Sequence, residues 1–527
     1  MKIKLRSFGF VLIILFSVTG CVSNSFTVLN RGSISPNSFG LKQAKTGEER
    51  FEVLLNTHKA ALQQGLVVDY SNIDTIDIII PKGAESIPLG EYNDFSGTVF
   101  NVTNNMQNTF LFSFKNKAET IEVTAEAIDE GKFYNNPVLS NGTKLLVVED
   151  QKPWVENRKG YTYGHIRRDI ILIKNGRAKN KPVMPYNNAN SSPVCKYYNV
   201  GSDLTITDLV LNRTSECTEK TFLCTVVGVD KVLLKDVVIN TVPNDLVEDV
   251  AIHIADCSNI SVENVRINGT YSRSNYSGYG ISMNNIWNFY ANGLYANGNW
   301  GIFGNNNINT ATIENSEINR FDIHCYGRDV SFNNVTFINL YNQFSSTFGM
   351  IRFDNCVFKS FIPVLYESSY NTYVPHDVVF NNCEFYMNSS RNYMISAGYL
   401  SQDINSREEL QKKCWPNLSI NCMTVYVEDK TNQLYLFRCS KEPHFDDKIH
   451  YIDKISINGL EIKSDENQQP IIFDFVNNDI NTERSLIINV NKLKAPLNSQ
   501  LKIQFNNQDD YNKVAIRHSN IINNNKE

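Results

Sequence analysis

The chain has 527 residues, 20% of them charged, and a formal net charge of −5. So even a balance over such a length excludes nucleic acid as the main partner. Ten of its 11 cysteines follow Cys21, and none form the C-x-x-C pairs that suit zinc, so no metal site is expected. The composition is that of a folded, exported protein. Disulfides are chemically permitted there, but several cysteines read instead as small buried hydrophobes.

The first residues carry Lys2, Lys4 and Arg6, an apolar run from Phe8 to Phe16, and Val18-Thr19-Gly20-Cys21. A basic start, a short apolar stretch and small residues before a cleavage point make an export signal. The run is shorter than the about 20 apolar residues that a bilayer span needs. Thr-Gly-Cys resembles the lipobox of bacterial lipoproteins. That resemblance implies cleavage before Cys21, acylation of its thiol and new amine, and a mature chain of 507 residues (527 − 20). The alternative is an ordinary signal peptide with an incidental cysteine. No later segment is long and apolar enough to span a membrane, so the rest reads as soluble and tethered in the cell envelope, with the outer membrane as its expected site. Val22-Ser23-Asn24-Ser25 contains no acidic run, which favours the periplasmic face over the cell surface.

Residues 21–45 read as a linker. Thr46-Gly47-Glu48-Glu49 is a capping box that opens a helix, and Phe51, Leu54, Leu55, Ala61 and Leu62 give it one apolar face. Three short extended segments follow, Ile76 to Gly83, Ile87-Pro88-Leu89 and Phe95 to Phe100. This order resembles the first coil of the pectate-lyase-like superfamily, with a helix capping an otherwise open edge. The resemblance implies a fold over roughly residues 46–400. It implies no activity, because that fold hosts lyases, hydrolases, epimerases and non-enzymes.

From Lys152 to Lys181 the chain holds nine cations and two acids, a local surplus of seven (9 − 2). Trp154, Arg167 and Arg168 lie here, with Tyr161, Tyr163 and His165. Aromatic faces stack on sugar rings and Arg pairs with uronate or sulfate, so the stretch suits an anionic glycan. A solvated hairpin is the equal alternative.

One pattern then recurs: apolar, any, Asn or Asp, any, any, apolar. It is centred on Asp208, Asp236, Asn264, Asn292, Asn315, Asn334, Asn355 and Asn382, at spacings of 28, 28, 28, 23, 19, 21 and 27. Such periods mark stacked repeats. Each unit is rich in Val, Ile, Phe and Tyr with period-two alternation and Asn/Gly corners, and none has a helical pattern. The expected fold class is therefore all-β: a right-handed parallel β-helix, a solenoid with an N-terminal capping helix. The recurring amide is expected to face inward at a tight turn and to bond its neighbour in the next coil. Cys257, Cys356 and Cys383 lie within or beside the repeats and read as buried packing.

The sharpest candidate site is Arg320-Phe321-Asp322-Ile323-His324-Cys325-Tyr326-Gly327-Arg328. Alternation along a strand turns Phe321, Ile323 and Cys325 inward and sets Arg320, Asp322, His324 and Tyr326 in an outward row. His acts as acid or base near neutral pH, Asp orients it or binds a cation, and Arg holds a carboxylate. Arg320, Asp322 and His324 are the candidate catalytic residues, with Tyr326 and Arg328 beside substrate. The alternative is a structural ion pair between coils. Trp300-Gly301-Ile302-Phe303-Gly304 followed by Arg320-Phe321-Asp322-Ile323-His324 resembles a W-G-I-x-G, R-F-D-x-H pattern in uncharacterised β-helix proteins of carbohydrate-degrading bacteria, which carries no activity with it. Asp249, His253 and Asp256 are candidates for a neighbouring coil of the same groove, with plain surface as the favoured alternative. Arg273 and the tyrosines of the loop 269–279 are candidate groove walls, as is Trp300.

The expected domains are 1–20 signal, 21–45 linker, 46–190 cap and first coils with the basic excursion, 191–400 central β-helix, and 401–527 further coils and a cap. The functional expectation is a polysaccharide-cleaving protein, lyase or glycoside hydrolase, working on a glycan laid along the outside of the coils. A non-catalytic glycan-binding or adhesive protein is the rival. No cofactor is required; Ca²⁺ at Asp322 is the one admitted for a lyase mechanism. The chain is expected to act as a monomer.

Overall fold

The computed structural model describes residues 32–104, 110–155, 165–182, 186–187, 191–214, 222–241, 250–269, 279–296, 301–338, 341–344, 347–359, 362–366, 376–387, 393–397, 417–427, 434–439, 454–463, 471–475, 486–495, 501–505 and 514–523. Helix α1 spans Gly47–Gln64 and opens on the capping box: Glu49 N–H donates to Thr46 Oγ1 at 3.1 Å, and Thr46 N–H to Glu49 Oε2 at 3.3 Å. Phe51, Leu54 and Leu55 are buried against strand β1, Thr75–Ile80, which turns Ile76, Ile78 and Ile80 to the same core. The two elements touch where Gly47 meets Ile79; a Cβ on Gly47 would sit 2.6 Å from the Ile79 side chain. α1 packs on β1, which pairs through its own edge with Val99–Asn104.

Between the first-face strand Phe110–Lys115 and the second-face strand Asp203–Thr207 the chain leaves the coils. It builds a five-stranded antiparallel sheet that includes β2 (Thr143–Val155), β3 (His165–Lys174) and β4 (Pro193–Asn199). This excursion has its own core, with Ile128, Phe133, Leu146, Val148, Ile171 and Tyr186 buried. The described residues of the basic stretch are therefore not a lone hairpin but parts of three strands of a packed unit, the third being Arg177–Ala178. Its ends are pinched together: Asn116 Nδ2 donates to Ser202 Oγ at 2.7 Å.

Apart from the two-stranded pair Ser33–Ile34 and Val67–Val68, the remaining strands stack in parallel, coil on coil, as three faces. On the first face Cys224 pairs with Ile252, Ile252 with Ile281 and Ile281 with Phe303. Strands β5 (Val250–Glu263), β6 (Tyr279–Asn292), β7 (Gly301–Ile318) and β8 (Asp322–Phe337) each run through the first two faces, turning at a corner between them. Parallel pairing continues to Val514–Asn523. The core is one column of apolar side chains, in which Phe332, Phe353 and Phe380 stack at 5.0 Å between successive rings. Each such aromatic contact adds about 0.5–1.5 kcal/mol beyond area burial. Cys257, Cys356 and Cys383 are free and buried, as their positions beside the repeats suggested.

The corners explain the repeat. Asp208, Asp236, Asn264, Asn315, Asn334, Asn355 and Asn382 all have φ between 46° and 55°. Asn and Asp tolerate this left-handed region better than other L-residues. Their side chains bond across coils, as from Asn334 Nδ2 to Asn315 Oδ1 at 2.9 Å. These amides are exposed, however, not inward-facing. The backbone conformation selects the residue here, and the side chain follows the corner outward. At the fourth repeat the left-handed residue is Gly293, not Asn292. A second corner joins the first two faces, at Gly228, Asp256, Asn285, Asn307, Asp329 and Gly349.

Candidate functional site

Of the expected row, Asp322 and His324 lie on β8 and Arg320 just before it. Phe321 and Ile323 belong to the core, so Asp322 and His324 alternate to the other side. Yet Arg320 and Asp322 are each 0% exposed, where an outward row on a solenoid was expected to meet solvent. Neighbouring coils close over them. Gln343 lies in register on Asp322, and Arg320 stacks on the Tyr341 ring at 4.3 Å from its centroid. Arg320 Nη2 donates to Asp322 Oδ2 at 2.6 Å and to Gln343 Oε1 at 2.9 Å. Arg320 therefore holds the aspartate and does not reach out to a ligand. Burial alone would raise the Asp322 pKa, but Arg320 and His324 outweigh it and hold the carboxyl below its usual value.

His324 is the opening of this cluster, with 18% of its side chain exposed. Its Nε2 lies 3.1 Å from Asp322 Oδ2 and 2.8 Å from the hydroxyl of Tyr279. Tyr279 was expected only as one of the groove-wall tyrosines of the loop 269–279, not as an acid–base partner. It stands two coils away from His324, at the start of β6, and its ring reaches across the intervening coil. Gly304 makes that reach possible: a Cβ there would lie 2.4 Å from the Tyr279 ring. The second glycine of the Trp-Gly-Ile-Phe-Gly segment thus has a steric reason. The signal for Tyr279 was faint, an aromatic at a loop end with a partner two strands on.

The shared nitrogen defines what the cluster can do. A proton on the Tyr279 hydroxyl can pass to His324 Nε2, and the imidazolium so formed faces the Asp322 carboxylate, which Arg320 fixes in place. The arrangement could serve as an acid–base relay with one carboxylate, whose Oδ2 also lies 3.4 Å from the Tyr279 hydroxyl. No group of three or more His, Cys, Asp or Glu that could hold a metal ion occurs among the described residues.

The other candidates separate. His253 shares the face, in register with Ser282, which pairs with Gly304. It sits about 14 Å from Asp322, three coil steps of roughly 4.8 Å. Burial lowers its pKa, against an opposing pull from Asp256, and its ring stacks on Phe110 at 6.0 Å. Asp256 is not a groove residue. It is a buried corner with φ 55°, taking bonds from Lys196 at 2.7 Å, Tyr198 at 2.6 Å and Asn285 at 2.6 Å. It docks β4 of the excursion onto the coils. Arg328 does similar work, donating to Lys181 O at 3.0 Å. Arg168 pairs with Glu149 at 3.1 Å within the excursion, with about a third of each side chain exposed. Asp249, Arg273, Trp300 and Cys21, and the side chains of Tyr326, Trp154 and Arg167, lie outside the described residues.

No family model and no curated protein matches the chain. Among solved structures, the tailspike protein gp49 from Pseudomonas phage LKA1 is similar over 92% of this chain and 84% of that chain, with a TM-score of 0.54 at 12% identity. The tailspike gp61 of Pseudomonas phage phi297 aligns over 93% and 84%, with a TM-score of 0.49 at 12% identity. The gp54 tailspike of Acinetobacter baumannii bacteriophage AP22, solved in complex with a capsular saccharide, aligns over 84% and 77%, with a TM-score of 0.47 at 11% identity. The likeness to gp49 is one of fold. The chain is an all-β parallel β-helix protein.

Proposed function

We propose that this is an exported, lipid-anchored, carbohydrate-active protein that cleaves a polysaccharide by proton transfer at Tyr279 and His324. The carrying observation is the 2.8 Å contact between the Tyr279 hydroxyl and His324 Nε2, backed by the buried Asp322–Arg320 pair. A two-carboxylate hydrolase needs acids about 5 to 9.5 Å apart. No second carboxylate joins Asp322 among the described residues of this cluster, so elimination is the better reading. In that step a C–H bond next to a uronate breaks and its proton passes to the relay. A ring double bond forms as the C–O bond to the leaving sugar breaks, and the relay returns a proton to that oxygen. A Ca²⁺ ion at Asp322 would stand against Arg320 with few oxygen ligands, where calcium takes six to eight; the proposal leaves it out.

The test is a panel of uronate-containing polysaccharides, assayed by the ultraviolet absorbance of unsaturated chain ends. The parent chain should generate them. Tyr279→Phe should lower the rate by at least about 10²-fold, the usual worth of positioned proton transfer. Equal rates would remove the relay from consideration. A non-catalytic glycan binder is the second reading, favoured by the burial of Asp322 and Arg320; absence of cleavage of any polysaccharide by the parent would establish it over the first. Anchoring at Cys21 places the protein in the cell envelope, at the outer membrane facing the periplasm. Cys21→Ser should then move the chain from the membrane to the soluble fraction.

A further inference from the structure

A second surface lies on a different part of the coils from the relay. Thr312, Ser331, Arg352, Asn381 and Asn421 line an open groove of about 750 Å³, together with the carboxylates of Glu314 and Asp354. The groove crosses five successive coils, because Thr312 pairs with Ser331, Ser331 with Arg352, Asp354 with Asn381, and Asn381 with Asn421. Four coil steps of roughly 4.8 Å make it about 19 Å long. It lies on the second face, beyond the first-face strands that carry Tyr279 and His324.

Its side chains are held in place. Glu314 accepts from the Tyr290 hydroxyl at 3.0 Å, Arg352 pairs with Asp354 at 2.6 Å, and Thr312 and Ser331 bond at 3.1 Å. Asn381 Nδ2 donates to Asp354 Oδ1 at 2.6 Å, and Asn421 Nδ2 to Asn381 Oδ1 at 2.9 Å. Each coil thus offers at least one hydrogen-bonding side chain, a hydroxyl, carboxylate, guanidinium or amide, with little rotamer freedom left to lose. The coil spacing is close to the length of one sugar in an extended glycan, so a polymer running along the axis meets a polar partner at each residue. Charge narrows the choice. Two acids and one arginine, itself bound to an acid, leave the groove slightly negative. A polyanion would be repelled, and a ligand rich in neutral hydroxyls would be held.

We infer that this groove is a second saccharide-binding site that takes about four residues of a neutral stretch of glycan. It is independent of the acid–base relay and needs no catalysis there. The test titrates the full chain with neutral tetrasaccharides of gluco, xylo and manno configuration by calorimetry. At least one should bind. Ser331→Trp, which fills the groove, should weaken that binding at least tenfold, and so should Arg352→Ala, an exposed change that leaves the core untouched. Tyr279→Phe should leave it unchanged. Binding that survives both groove variants, or no binding by any tetrasaccharide, overturns the inference. Loss of cleavage in Tyr279→Phe with tetrasaccharide binding intact supports both sites; loss of binding in Tyr279→Phe places the saccharide at the relay and overturns the second site.

Discussion

At the scale of single residues, Asp322 is tightly constrained. It is a fully buried carboxylate that shares one oxygen between a guanidinium and an imidazole. Removing one partner of a buried pair leaves the other uncompensated, at about 3–5 kcal/mol. Asp322→Asn should therefore lower the urea midpoint markedly at neutral pH. The folded pKa of Asp322 lies below its unfolded value. Its contribution is thus complete above the unfolded value of about 3.9 and disappears as pH falls through the lower folded value. The gap between parent and variant should narrow below about pH 4, which urea melts across an acid series would show. Gly304 offers a subtler test. Gly304→Ala must displace the Tyr279 ring and should cut cleavage strongly while moving the melting temperature little. Strand alternation foretold that Asp322 and His324 share a side. It did not foretell their burial, since alternation gives direction and says nothing of what covers it. Tyr279 was read only as a groove wall, because its partner His324 is two coils away.

At the scale of elements, the corner is the unit that the sequence displayed best. Seven of the eight repeat centres sit at a left-handed backbone position, because few residue types adopt it without strain. The eighth was displaced by one residue because Gly293 fills the same position even more easily. The corner between the first two faces stayed hidden: Gly228, Asp256, Asn285, Asn307, Asp329 and Gly349 mix three residue types without a fixed flanking pattern. Asn334→Ala should destabilise by about 1–2 kcal/mol, the cost of the left-handed region for an ordinary residue. Asn334→Gly should cost less, since the glycine loses only the amide bond to Asn315. Paired thermal melts of the two variants distinguish backbone strain from the hydrogen-bond ladder. If alanine and glycine behave alike, the ladder carries the corner.

At the scale of the whole molecule, coils and excursion are two cores joined by an apolar seam, where Leu145, Val147, Ile170 and Tyr198 of the excursion pack with Val227 and Trp287 of the coils, and by polar contacts. Composition marked the excursion as unusual through its cations, but charge alone could not reveal an antiparallel sheet. Its fold depends on pairing between strands far apart in the chain, such as β2 with β4. Polar docking runs through Asp256, which Lys196 and Tyr198 reach from β4. Lys196→Met should leave a buried carboxylate short of a donor, at about 1–3 kcal/mol. Hydrogen exchange should then rise along β4 and near Asp256 while the coils beyond residue 376 keep their protection. A uniform rise along the chain would mean that the two cores unfold together.

The pinch between Asn116 and Ser202 has a further consequence. The excursion enters and leaves at almost one point, so the coil it interrupts is already closed without it. A short turn in its place would let the strand ending at Lys115 run on to the one beginning at Asp203. The same junction would accept an unrelated unit whose ends lie equally close. The coils thus form a chassis with a socket, and what the socket carries can be exchanged if the new unit also covers Val227 and Trp287.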